Sequence, residues 1–206
     1  MLLGVVFGLF LSCTDIKDRV RNSDAVISAE DVRHFKKELE DLNEKNDIKV
    51  SVSDSSRVVV SNEDDILNLE NGIVVFGWPS CPWFRNAIEP LLEFSAEEKA
   101  TIYYLDIKDI RDKKELQQDT VVTVEEGSTG YHAILEKFHD ILNPYKTLGI
   151  DSIKRISSPT VLFIEHGKAI HKVASTVASQ TDGHVALTPE QKQELKARYK
   201  AYFLEK

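Results

Sequence analysis

The sequence predicts an α/β domain built on a mixed central sheet. Three observations carry that expectation. Ile73-Val74-Val75-Phe76 is a short apolar run that Gly77 and Pro79 break, and a helical pattern follows at once. Further short β-branched runs and helical patterns give the order β-α-β-α-β before residue 108, the signature of strands joined through helices. Towards the C-terminus, Thr160–Ile164 and Ala169–Ala174 flank Glu165-His166-Gly167-Lys168, a hairpin signal that adds antiparallel strands.

The chain has 206 residues, enough for one domain with a sizeable core plus additions. Apolar and charged residues make up 42% and 29%, ordinary for a folded globular protein. The net charge of −8 argues against nucleic acid, because such a binder needs a basic surface to displace counterions. No internal repeat or low-complexity tract is present.

Taken in order, residues 1–13 are apolar and end in Ser12-Cys13. The segment is shorter than the about 20 residues needed to span a bilayer and suits the apolar region of a signal peptide. Its end resembles a bacterial lipobox. That resemblance implies lipidation of Cys13 and a mature protein anchored on the extracytoplasmic face of a bacterial membrane. The plainer alternative is a buried N-terminal strand or helix. Residues 14–27 read as a tether.

Ser28 caps a first helix, an N-terminal extension whose apolar stripe is Val32, Phe35, Leu39 and Leu42. Ile48–Val52 and Val58–Val60 are strand candidates. Asn62 caps a short helix from Glu63 to Leu69, which Asn71-Gly72 ends. After the central strand comes the helix that begins at Cys81, with Phe84, Ile88, Leu91 and Leu92 on one face and Pro90 expected to kink it. Thr101–Leu105 is the next strand. Residues 108–147 are largely polar, carry Ile134, Phe138, Ile141 and Leu142 at helical spacing, and are expected to form a helical insertion. Thr188-Pro189-Glu190-Gln191 starts a final helix, with cap, first-position proline and Gln in place.

The chemistry centres on Cys81, the only cysteine in the body of the chain. The first turn of a helix leaves N–H groups unpaired and carries the positive end of the macrodipole, which favours a thiolate. Pro82 fits the first helical position. Arg85 stands at i+4, where a guanidinium would add positive charge on the same face.

Strand, Cys81-Pro82-Trp83-Phe84 and helix together resemble the thioredoxin superfamily, and within it the bacterial thioredoxin-like proteins of the bacteriocin-transport accessory type, which carry C-P-[YW]-C. The segment Ile150 to Thr160, with Ser157-Ser158-Pro159-Thr160, resembles the loop that sets a cis-proline opposite the cysteine in that family. The resemblance spans residues 28–206. It implies a thioredoxin-like fold, Cys81 as the catalytic thiol, and substrate contacts from Trp78, Pro82, Trp83, Ser158 and Pro159. It further implies partners that are protein thiols, disulfides or extended peptides, and no cofactor.

Two departures qualify it. Phe84 replaces the second cysteine, the thiol that would release a mixed disulfide. Val75 stands where many thioredoxins have a buried Asp. Two readings follow: a monothiol redox protein resolved by an external thiol, or a non-catalytic binding or accessory module. A peroxide-sensing sulfenic acid at Cys81 is a third. Each singled-out residue also has a plain reading: Cys81 as inert core thiol, Trp83 as surface packing, Arg85 as a solvated charge, Phe84 as core. The six histidines show no metal-ligand spacing, and Asp106 and Asp109 read as loop and cap residues.

Overall fold

The structure is a computed structural model, and it describes residues 25–204. Cys13, the apolar leader and all but the last three residues of the tether lie outside the described residues. No helix among the described residues is long and apolar enough to cross a membrane.

Helix α1 (Ala29–Glu40) opens as its sequence requires: Ser28 Oγ accepts the Asp31 N–H at 2.9 Å, and Val32, Phe35 and Leu39 are buried. Strand β1 (Val58–Val60) leads to the short helix α2 (Glu63–Leu67), where Asn62 and Asp65 form a reciprocal capping box. The helix stops at Leu67 rather than Leu69, and Gly72 belongs to the following strand. Strand β2 (Gly72–Gly77) is buried along its whole length. Helix α3 (Pro82–Glu98) starts at Cys81 as N-cap and runs without a break through Pro90. Strand β3 (Ile102–Asp106) completes the parallel core of the sheet.

Strands β4 (Lys113–Gln117), β5 (Thr120–Glu125), β6 (Asn143–Tyr145) and β7 (Ile150–Arg155), with helix α4 (Thr129–Lys137), make the insertion. Strands β8 (Thr160–Glu165) and β9 (Lys168–Ala174) and helix α5 (Pro189–Leu204) close the chain. The main sheet has the order β1-β3-β2-β8-β9. β2 runs parallel to β3 and antiparallel to β8, so the sheet is mixed, as expected. The β8–β9 turn is His166-Gly167, both at positive φ (49° and 71°), the geometry of a two-residue hairpin turn.

Side chains of β2 alternate between two cores. Ile73 and Val75 face the layer formed by α1, α3 and α5, where Phe35, Phe84, Phe94, Tyr104 and Tyr199 pack. Val74 and Phe76 face Ile66, Tyr131 and Ile134 from α2 and α4. Helices thus cover both faces of one sheet, the arrangement that buries a central parallel pair of strands.

Two expectations need correction. Ile48–Val52 forms no strand. Ile48, Val50 and Val52 do point inward at period two, but side chains replace a neighbouring strand. Asn43 brackets Val50 N–H and C=O at 2.9 Å each, and Glu40 accepts the Val52 N–H at 2.9 Å. The insertion is α-helical only from Thr129 to Lys137, with a single 3-10 turn at Lys146–Leu148. Its first part is a β-hairpin, turned by Gln118 and Asp119 at φ 48° and 63°. The Val121-Val122-Thr123-Val124 run is the β-branched signal that the polar flanks masked.

Candidate functional site: the cysteine cleft

Cys81 sits where β2 has ended and α3 begins. Its N–H donates to the Trp78 carbonyl at 3.1 Å, and its own carbonyl accepts the Arg85 N–H at 2.9 Å. The thiol Sγ lies 3.6 Å from the carbonyl oxygen of Ser158. The Ser158–Pro159 peptide bond is cis. The loop that the resemblance set opposite the cysteine is in contact with it, 77 residues away along the chain. Cys81 is only 6% exposed, with its free thiol at the floor of a cleft.

That cleft has a volume of about 550 Å³. Trp78, Trp83 and Ser158 line it together with Cys81. Pro82 and Pro159 do not. Pro82 is half-buried at the first position of α3, and the buried Pro159 offers its carbonyl to the Ser175 N–H at 2.9 Å. The insertion contributes Arg111, Tyr145 and Arg155 to the lining. Arg111 lies 4.2 Å over the Trp78 ring, and Arg155 lies 4.1 Å over the Tyr145 ring. Arg111 is also close enough to Cys81 to interact with it electrostatically. Burial, reinforced by the neighbouring Arg155 charge, lowers the pKa of the Arg111 guanidinium.

No family model, curated protein or solved structure matches this chain. The site therefore rests on its own geometry. Among the described residues no cluster of His, Cys, Asp or Glu is arranged to hold a metal ion.

The most consequential correction concerns Arg85. It is 1% exposed, and its guanidinium is spent on backbone carbonyls: Ile48 at 2.6 Å, Pro79 at 2.9 Å and Leu39 at 3.1 Å, with Asn43 Oδ1 as a further acceptor. Burial lowers its pKa, but a guanidinium stays charged. Rather than dressing the thiol or solvating a helix face, Arg85 staples the N-terminal extension to the loop just before Cys81. The reason is its position: one turn into α3, the i+4 side chain points towards the α1 layer, where orphaned carbonyls wait.

Phe84 is core, as expected, with no exposed surface. Its ring lies over Gly77, where an added Cβ would fall 2.1 Å from Phe84 Cδ2. The ring also packs 5.6 Å from that of Tyr104. Val75 is buried in the same core.

Sequence reading passed over Asn86, Arg111 and Arg155. Asn86 holds the connection between β9 and α5: its Nδ2 donates to Gly183 O at 2.7 Å, and its Oδ1 accepts the Leu187 N–H at 3.0 Å. This brings Gly183 against Trp83, so close that a Cβ there would lie 2.8 Å from the indole Nε1. Nothing local in the sequence marks these three residues, because each has a defining partner more than 30 residues away: Gly183 and Leu187 for Asn86, Trp78 for Arg111 and the Asp112 carbonyl for Arg155. Asp106 is half-buried and accepts the Lys108 N–H at 2.7 Å, but it closes β3, paired with Gly77, rather than standing in a loop.

Proposed function

We propose that this protein is a thioredoxin-like thiol-disulfide module with one active thiol, forming mixed disulfides between Cys81 and cysteines of secreted partners. The single observation that carries the reading is the contact between Cys81, at the N-cap of α3, and the Ser158 carbonyl. The sheet order and the helix layers are compatible with a thioredoxin-like fold. In this reading the Cys81 thiolate attacks a partner disulfide, and an external thiol later resolves the product, since Phe84 has no sulfur to offer. Trp78, Trp83 and Ser158 form the partner-binding rim, and Pro82 and Pro159 hold it from behind. Anchoring through a lipid on Cys13, outside a bacterial membrane, belongs to the same proposal.

One observation favours the second reading, a binding or accessory module without thiol chemistry: Cys81 is 6% exposed. The experiment is mass spectrometry of the full-length protein after exposure to a cysteine peptide activated as its thiopyridyl disulfide. A covalent peptide adduct on Cys81, lost in Cys81→Ser, supports the redox reading. Intact protein with an unmodified thiol under conditions that label free cysteine assigns the binding module.

A further inference from the structure

We infer that the cleft beside Cys81 is a carboxylate-recognition site, selecting partner polypeptides that carry acidic side chains next to the cysteine they present. The inference rests on the redox reading above for the use of the cysteine, but the binding itself does not need it.

The charge of the cleft runs against the charge of the molecule. The chain carries −8 overall, yet the residues lining the cleft include three cations, Arg111, Lys146 and Arg155, and no acid. Among the described residues, no carboxylate forms an ion pair with Arg111 or Arg155. The acid nearest in sequence, Asp112, is buried and paired with Lys114. Two guanidiniums arrive from separate elements, Arg111 after β3 and Arg155 at the end of β7, and each rests on an aromatic face. Stacking fixes the plane of a guanidinium and leaves its edge donors free, the geometry in which arginine grips a carboxylate with two parallel bonds.

Donors are left over. Arg155 spends one nitrogen on the Asp112 carbonyl at 3.3 Å, while its buried Nε has no partner. Ser158 Oγ, on the loop touching Cys81, is likewise buried without a partner. Unpaired buried donors cost stability unless something arrives to accept from them. Arg111 and Arg155 also repel each other. A carboxylate between the two guanidiniums offsets their repulsion, and the fall in local dielectric inside a cleft strengthens its attraction. An extended partner that lays its cysteine at Cys81 would place its neighbouring side chains against this wall.

The covalent step is a simple exchange. The Cys81 thiolate bonds to the peptide cysteine sulfur of a thiopyridyl disulfide. The old S–S bond breaks, and pyridine-2-thiolate leaves with the electron pair. It takes a proton from solvent at its ring nitrogen to become pyridine-2-thione, which balances the proton Cys81 gave up.

Three activated peptides of equal length test the inference, with Glu, Gln or Lys flanking one cysteine. We expect Cys81 to react on the order of tenfold faster with the Glu peptide than with the Lys peptide at low salt. The preference should shrink as ionic strength rises. Arg111→Gln and Arg155→Gln should each reduce it and the double variant abolish it. Arg111→Lys should keep only part of it, since an ammonium lacks the stacked planar fork, and Lys45→Gln, a single-charge control on the exposed Lys45, should leave it unchanged. Because the net charge repels acids at long range, an acid preference assigns the effect to the cleft. A parallel titration uses fluorescent peptides with Ser in place of Cys. Tighter binding of the acidic Ser peptide without any adduct would leave this inference standing and sink the redox reading. Equal rates and equal affinities across the three peptides, with adducts formed, would overturn the inference alone. Double-variant protein that melts at the wild-type temperature yet keeps the acid preference overturns it too.

Discussion

Arg85→Met keeps most of the side-chain volume and removes every donor. Three buried carbonyls, on Leu39, Ile48 and Pro79, then lose their partner. Each orphaned buried carbonyl costs about 1–3 kcal/mol. Relief from burying a charge offsets part of that sum, so the net loss should be about 3–5 kcal/mol, the range for breaking a buried charged network from one side. Against a total stability of about 5–15 kcal/mol this is a large fraction. It corresponds to a fall in melting temperature on the order of 10 °C for a domain of this size. Urea unfolding gives the global number, and native-state amide exchange locates it. The Val50 and Val52 amides, held by Asn43 and Glu40, should exchange faster than in wild type, because the extension they belong to is clamped through Arg85. Arg85→Lys should recover only part of the loss, since an ammonium lacks the planar fork that reaches carbonyls in several directions. A variant within about 1 kcal/mol of wild type, with unchanged exchange at Val50 and Val52, would refute the staple.

Phe84→Cys should cost about 3 kcal/mol, because a fully buried ring is removed, while raising insulin reduction with dithiothreitol well above wild type. Destabilisation with no gain in reduction would show that position 84 is not where a resolving thiol acts. Gly183→Ala should cost about 1–3 kcal/mol by overpacking against Trp83 and shift the tryptophan emission, and an unchanged spectrum and melt would contradict the contact. Asp106 has a pKa raised by burial and by Asp109, so the folded state holds its proton more tightly than the unfolded chain does. Stability is therefore lost as pH rises from the ordinary Asp range through the raised value. Asp106→Asn should stabilise the protein at neutral pH and lose that advantage in acid, as pH-dependent melting will report.

The central strand, the helix start at Cys81 and the final helix were legible because each is a local pattern. An apolar run, a break with proline at the first helical position, and a Thr188–Gln191 box each decide structure within a few residues. The wall of the cleft was not legible. Arg111 and Arg155 read as isolated charges until the insertion folds them onto Trp78 and Tyr145. Ile48–Val52 shows the limit from the other side. Its buried residues alternate as in a strand, but periodicity says nothing about whether a strand or a set of side chains satisfies the backbone. The hairpin at 113–125 failed for a related reason, since a short run of valines and threonine between charged residues leaves helix and strand nearly balanced.

Gly77 and Phe84 carry a last consequence, for the order in which this site can be rebuilt. The ring occupies the place where residue 77 would keep a Cβ, so the two positions are interlocked and their substitution energies will not add. Gly77→Ala made first meets the ring and is blocked. Made after Phe84→Cys, it fills part of the hole that the lost ring leaves. The route to a two-cysteine site is thus one-way through position 84, and its intermediate is the least stable member of the path. Library designs that vary these positions singly would discard the start of that route, whereas paired variation keeps it.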